Sequence, residues 1–482
     1  MSTSTSLPTA TPTPTETLLP PTEPPPSQLV WIEPVAVLAI FDQVNKVYWS
    51  PTANELIFQT CSGRFIRGYN FDGSIFKASA PLFQSQDLAQ GDHSFCRGQM
   101  DLTWTLDGSR IGFAGPLSDE TEPSLPIVEF SEVWLMNSDG SDPNPILPDE
   151  TVARWQSFYY GWLDENNLIY TGYAGGGHQY WSILDIENRE KRGWGIVHLG
   201  GGEANSQYIG TINGTTLNFQ ISAAIVATTP QHSTADDGLN SPYLHHLSFD
   251  DEERVFNYYS SFQDWRPDSN EMLVITWDLD VNLAETNFLH NNAVTSLQLW
   301  NVEDDSLTPV VSEAIYGRFS PDGRYLLYLT PAPEHPIAHL YNWQNQQIIL
   351  QQPVVAAWQP GNSIKLEMSF SPNGRFLTYF TPNEDGTSTL QVFDTQADET
   401  QREIINPETQ VSWSPTSEQF IYRDANNNFA LFSIANGSSQ PLTLAGGLLL
   451  TNPQWSHDGR FLSVSVQTET GGETAVLTLN GN

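Results

Sequence analysis

One short motif recurs along the 482-residue chain and limits its fold more than any other feature. Its clearest copies are Phe319-Ser-Pro-Asp-Gly-Arg-Tyr-Leu-Leu-Tyr, Phe370-Ser-Pro-Asn-Gly-Arg-Phe-Leu-Thr-Tyr and Trp455-Ser-His-Asp-Gly-Arg-Phe-Leu-Ser-Val. Trp104-Thr-Leu-Asp-Gly-Ser-Arg-Ile-Gly-Phe is a fourth. Looser copies begin at Trp49, Trp162, Trp265 and Trp413. A degenerate one at Gly210 (GTINGTTLNF) keeps the Asn-Gly turn without the aromatic. The nine copies follow one another at intervals of 42 to 58 residues.

The chemistry of the motif predicts a hairpin. Pro at the second position and Gly at the fourth suit a type I turn, and the Gly takes the left-handed conformation that closes a bulged hairpin. The aromatic ends the incoming strand and the apolar run begins the outgoing one. Two further strand-like segments follow, as at 339–343 and 347–351 or 389–393 and 403–405. Each unit is therefore a four-stranded antiparallel meander, and stacking such sheets radially buries both faces of each. The expectation is an all-β chain whose residues 29–482 form a single β-propeller of nine blades by repeat count, or eight if the Gly210 unit is an insertion. The last unit supplies only three strands, so Val35 to Phe41 is expected to close the ring against Thr474 to Leu479. The anchors Trp49, Trp104, Trp162, Trp265, Phe319, Phe370, Trp413 and Trp455 are expected to be buried between sheets.

On these motifs the chain resembles the TolB-type WD-like propeller repeat proteins. It is also similar to the non-catalytic propeller of the prolyl oligopeptidase and dipeptidyl peptidase families. That resemblance implies a propeller over most of residues 29–482. The sole Trp-Asp dipeptide, Trp277-Asp278, lies outside a repeat end, so true WD repeats are not expected. The last repeat runs to Asn482, so the α/β-hydrolase domain of a dipeptidyl peptidase is not expected here. Gly-x-Ser-x-Gly, His-Glu-x-x-His and Walker motifs are absent, which argues against a serine peptidase.

The first 28 residues differ from the rest: 20 of them are Ser, Thr or Pro. They have too little apolar surface to offset the entropy of ordering, and such tracts are typical of stalks outside the cell. An extracellular or cell-surface location follows as an expectation, with the export signal or anchor lying outside this sequence. No transmembrane run occurs in the chain. Charge narrows the partners. With 56 acidic against 19 basic residues the net charge is −37, which repels phosphate backbones and excludes nucleic acid. Cys61 and Cys96 could form one disulfide across adjacent blades or remain buried thiols. The Asp-rich stretches 139–142 and 278–280 match no EF-hand loop and are read as solvated turns, with calcium binding as the alternative.

Histidines mark one end. In a meander the second-to-third-strand loops and the blade-to-blade connections leave at the same end. His178, His232, His290 and His335 fall in such loops and His93 in such a connection. Asp236, Asp237 and Glu285 lie in the same loops, which include the longest of the chain. Residues in loops on a rigid scaffold are where binding resides, so these eight form the candidate ligand-binding face. The expected function is a non-catalytic binding or scaffold module for a protein, peptide or glycan, acting as a monomer and needing no cofactor. The alternative is a propeller enzyme, such as a metal-assisted polysaccharide lyase or hydrolase, in which a divalent cation would sit among these side chains.

Overall fold

A computed structural model describes residues 36–42, 47–60, 65–71, 76–84, 102–115, 132–146, 158–162, 165–173, 178–188, 190–198, 245–249, 252–256, 260–267, 269, 271–277, 295–301, 304, 306–359, 363–366, 368–397, 399–405, 408–442, 450–468 and 471–479. Every regular element among them is a strand, and eight four-stranded antiparallel sheets account for most. The first sheet is Tyr48–Trp49, Glu55–Thr60, Phe65–Phe71 and Phe76–Gln84; the second is Thr103–Trp104, Arg110–Gly115, Glu132–Asn137 and Asn144–Pro145. The third is Phe158–Trp162, Asn167–Tyr173, His178–Asp185 and Glu190–His198; the fourth is Ser260–Trp265, Glu271–Trp277, Thr295–Asn301 and Leu307–Ser312. The fifth is Tyr316–Phe319, Tyr325–Thr330, Ile337–Asn342 and Gln347–Pro353; the sixth is Ser369–Phe370, Phe376–Pro382, Ser388–Asp394 and Glu399–Ile405. The seventh is Glu408–Trp413, Gln419–Arg423, Phe429–Ser433 and Ser438–Leu442. The eighth combines Leu450–Trp455, Phe461–Thr468 and Gly471–Thr478 with Ala36–Asp42 from the other end of the chain.

Hydrogen bonds within the recurrent motif explain its residues. In the fifth sheet the Ser320 hydroxyl donates to Asp322 at 2.6 Å and accepts from the Tyr325 amide at 3.0 Å. Thr105, Ser371 and Ser456 repeat both bonds in the second, sixth and eighth sheets. The fourth turn position carries positive φ: Gly108 at 70°, Gly323 at 67°, Gly374 at 72° and Gly459 at 73°. A left-handed backbone there favours glycine, which is why Asp-Gly or Asn-Gly recurs. In the seventh sheet Ser417 takes the same left-handed conformation without a glycine, at φ 63°.

The fifth, sixth and seventh sheets bury both faces, because alternate residues of the second strand enter different cores. Leu326 and Tyr328 pack with Leu273 and Leu297 of the fourth sheet, while Leu327 and Leu329 pack with Leu377 and Tyr379 of the sixth. Phe376 and Phe380 meet Phe420 and Phe432 of the seventh sheet, whose Ile421 and Leu431 meet Leu462 and Leu477 of the eighth. The first and second sheets share Ile57, Ile111 and Phe113. Burying each such side chain contributes roughly 1.5–3 kcal/mol. Face-to-face packing of successive meanders is the propeller arrangement.

The aromatic anchors add a polar stitch. The indole N–H of Trp104 donates to the Tyr48 carbonyl, that of Trp413 to Ser369 and that of Trp455 to Ser412. Each joins its inner strand to the inner strand of the preceding sheet. Trp49 has no preceding sheet in sequence, and its indole N–H instead reaches Ser463 Oγ of the eighth sheet at 3.1 Å. Asn54 Nδ2 also donates to Asp458 of that sheet at 2.8 Å. Burial alone would raise the Asp458 carboxyl, but hydrogen bonds from Asn54, Arg460 and Ser456 outweigh it and hold it below the usual carboxylate range.

The strand expected at Val35 to Phe41 is Ala36–Asp42, and it runs antiparallel to Gly471–Thr478 with Ala36 opposite Thr478 and Asp42 opposite Glu473. Trp104, Trp162, Phe319, Phe370 and Trp413 are buried. Trp49 and Trp455 are only half-buried, a correction whose cause is the hollow described below. The Trp265 side chain, Cys61, Cys96 and the Gly210 repeat lie outside the described residues. A hairpin of His245–Phe249 and Glu252–Phe256 follows that repeat. A second hairpin, Ala356–Gln359 with Ser363–Leu366, is inserted between the fifth and sixth sheets. The Gln-Pro-Gly-Asn sequence at its tip is a turn signal that the repeat pattern overshadowed. No helix among the described residues is long and apolar enough to cross a membrane.

Candidate functional site

The strand directions give the sheets two chemically different ends. The end holding the Ser-x-Asp-Gly turns is the turn end; the second-to-third-strand loops and the sheet-to-sheet connections leave from the other, the long-loop end.

At the long-loop end the structure describes two of the eight candidate residues. His178 is the first residue of the third strand of the third sheet, opposite His198, and so sits at the edge of its loop rather than within it. His335 lies half-buried in the 331–336 loop of the fifth sheet, next to exposed Glu334. The two belong to different, non-consecutive sheets. His93, His232, His290, Asp236, Asp237 and Glu285 lie outside the described residues. Among the described residues no group of three or more His, Cys, Asp or Glu side chains could hold a metal ion. The 356–366 hairpin is also at this end, since it interrupts a sheet-to-sheet connection, and it brings Lys365 there opposite Ala357.

Just below this end runs a polar layer that sequence reading missed. His339 Nε2 lies 2.9 Å from Thr330 Oγ1, and the ring stacks on Tyr328 at 4.7 Å. Gln298 bonds Thr276 in the fourth sheet at 2.7 Å and Gln391 bonds Thr381 in the sixth at 3.4 Å, each from the same pair of strands. His339 Nδ1 is buried without a partner. Burial holds this imidazole below the ordinary histidine range. Nearby, on the inner strand, burial pushes the Tyr316 hydroxyl up to about 12, with Arg318 opposing and Asp264 reinforcing the shift. In the sequence His339 carried no loop signal, so only its register identifies it.

At the turn end the inner edges of the eighth, first and second sheets leave a hollow of about 380 Å³. Its walls include Trp49, Trp104 and Trp455, and Pro51 and Leu106 reach it from the turns. The Leu106 side chain is 38% exposed, one of only two large apolar residues so exposed among those described. All three indole nitrogens already donate within the protein, so the rings offer apolar faces and edges rather than donors. The volume lies within the range of ligand pockets, about 300–1,000 Å³. None of these residues was a candidate from sequence, because each looked like a structural anchor; the hollow exists where two anchors stay half-open.

No protein-family model matches the chain, and no curated protein matches it. Among solved structures, dipeptidyl peptidase 4 of Porphyromonas gingivalis is 13% identical, with a TM-score of 0.47 over 90% of this chain and 58% of that one. The chain thus spans 58% of that enzyme's length. The C-terminal WD40 domain of Sif2 is 9% identical, with a TM-score of 0.45 over 92% of this chain and 98% of that one. An oligogalacturonate lyase from Vibrio parahaemolyticus is 11% identical, with a TM-score of 0.39 over 92% of this chain and 99% of that one. These similarities are too low to carry function. The class is defined by the chain's own geometry, in which repeated four-stranded meanders pack face to face: a β-propeller of WD-like repeats.

Proposed function

We propose that the chain is an exported, surface-tethered β-propeller acting as a binding or scaffold module, which takes a protein, peptide or glycan at its long-loop end. One observation carries this reading. Ala36 lies opposite Thr478, and Thr478 opposite Phe461, the first residue after the turn of the eighth sheet. Residues 1–35 therefore join the propeller at its turn end, and a tether attached there leaves the long-loop end facing outward. The net charge of −37 favours cationic or amine-bearing ligands.

Within the propeller class, the Ser-Pro-Asp-Gly turns support the TolB-type assignment. The proposed ring has nine blades. The hairpin His245–Phe249 with Glu252–Phe256 supports that count, because it falls where the Gly210 unit needs its third and fourth strands. The Trp49–Ser463 and Asn54–Asp458 bonds and the pairing of Ala36–Asp42 support closure.

The test is a peptide and glycan array probed with the full chain and with a His178→Ala, His232→Ala, His290→Ala variant. The variant is expected to lose the array signals while melting within a few degrees of the parent. Signals that survive it and vanish on altering the Ser320–Arg324 turn would place the ligand at the other end and reject the reading.

A further inference from the structure

The turn-end hollow and the N-terminal segment meet at one sheet. Gln454 and Trp455 wall the hollow from the inner strand of the eighth sheet, and Ala36–Asp42 is the outer strand of that same sheet. Ala36 is at the turn end, as is the hollow. Inner and outer strands are three strand spacings apart, about 14 Å. Thirty-five residues precede Ala36, and Pro26 is ten positions away. At the ~3.1 Å per residue of a polyproline helix, ten residues span about 31 Å. The proline cluster therefore reaches the hollow with slack.

We propose that Pro20–Pro26 of this chain (Pro-Pro-Thr-Glu-Pro-Pro-Pro) docks as a polyproline helix into the hollow formed by Trp49, Trp104 and Trp455. Segments with prolines three apart, here Pro21 and Pro24, dock in aromatic-lined grooves because their backbone is already extended and little entropy is lost. Pyrrolidine rings need no donors, which matches indoles whose N–H groups are committed elsewhere. The segment carries one charge, Glu23, so it brings little of the repulsion that an acidic ligand would meet on a chain of net charge −37. Covalent attachment through a short linker gives an effective concentration on the millimolar scale, so weak contacts suffice. The docked segment also fixes the exit point of residues 1–19 beneath the ring. This inference concerns the turn end and does not depend on where the external ligand binds.

The experiment is hydroxyl-radical footprinting of the full chain read by mass spectrometry. The native chain is compared with a full-length variant carrying Pro20→Ser, Pro21→Ser, Pro24→Ser, Pro25→Ser and Pro26→Ser. Oxidation of Leu106 and Trp455 is expected to rise about threefold or more in the variant, with buried Trp162 and Trp300 unchanged. Thr103→Arg, which fills the wall without touching the segment, is expected to raise Leu106 oxidation alike at an unchanged melting temperature. Equal oxidation in native and proline-substituted chains overturns the proposal. Protection that survives the proline substitutions and grows with protein concentration overturns it in favour of a second copy of the chain.

Discussion

At the turn end Ser320, Ser371 and Ser456 have 0% exposure, and their hydroxyls close the hairpins on which each sheet begins. At the other end the 331–336 loop leaves Glu334 exposed and His335 half-buried. The same fold unit thus spends its polar groups inwardly at one end and leaves them available at the other. Repetition explains the difference. A turn that must pack against its neighbours in every sheet is constrained each time: Thr52 Oγ1 reaches the Asp107 carbonyl, and the Asn373 amide reaches Ser417 Oγ. A loop beyond the sheet edge carries no such constraint and can lengthen, as the 116–131 and 278–294 connections do.

The largest effect that could break this comparison is at the anchors. Phe319→Ala, at a side chain buried between the fourth and fifth sheets, is expected to cost about 3–5 kcal/mol. Trp455→Ala is expected to cost less, because that ring is half-open to the hollow. Denaturant unfolding of the two variants measures the difference. Equal costs would show that the hollow is not a real opening in the stack.

Next in size are the turn hydroxyls. Ser320→Ala leaves the buried Tyr325 amide without its side-chain acceptor and removes the hydroxyl that donates to Asp322, which keeps only its bonds from Arg324, at about 1–3 kcal/mol. Glu334→Ala, in the exposed loop of the same sheet, is expected to fall within about 0.5 kcal/mol of zero. A loop substitution as costly as the turn substitution would erase the distinction between the ends.

The same contrast decides what could be read from sequence. The hairpin is written locally: Ser, Asp and Gly at fixed offsets satisfy one another within five residues, so the turn of the fifth sheet is visible in residues 319–325 alone. The strands that follow are nearly as legible, since both faces are buried and the second strand of the fifth sheet reads Tyr-Leu-Leu-Tyr-Leu-Thr. Boundaries are less so. The third strand of that sheet is Ile337–Asn342, two residues earlier than its apolar pattern implied, because the ladder extends to the loop and pairs Ile337 with Thr330. The hollow was hidden for a different reason. Trp49 and Trp455 carry the same local signal as the buried anchor Trp104, and their partial opening depends on how the eighth and first sheets meet, hundreds of residues apart in sequence.

The smallest expected effect sharpens the comparison where the two ends grade into one another. His339 occupies the register position that Gln298 and Gln391 hold in the neighbouring sheets, and like them it engages a threonine of the second strand. Glutamine cannot titrate near neutrality, whereas burial holds the His339 imidazole below its ordinary value. A depressed pKa in the folded state means that the unfolded chain takes up the proton first as pH falls. Stability from this residue is therefore fully present above the unfolded value of about 6.5 and is lost as pH falls through the folded value. Asp394 titrates in a separate window. Burial would raise its carboxyl, but hydrogen bonds from Arg375, Gln396 and Ala397 hold it below the usual carboxylate range, so its contribution fades only in stronger acid. His339→Gln is thus expected to preserve the bond to Thr330 and to flatten the melting-temperature profile between about pH 7 and pH 5, leaving the acid limb in place. Thermal melts of both proteins across that range provide the check. Parallel profiles would mean that the imidazole titrates alike in folded and unfolded chains, and that this layer belongs with the solvated loops rather than with the buried stack.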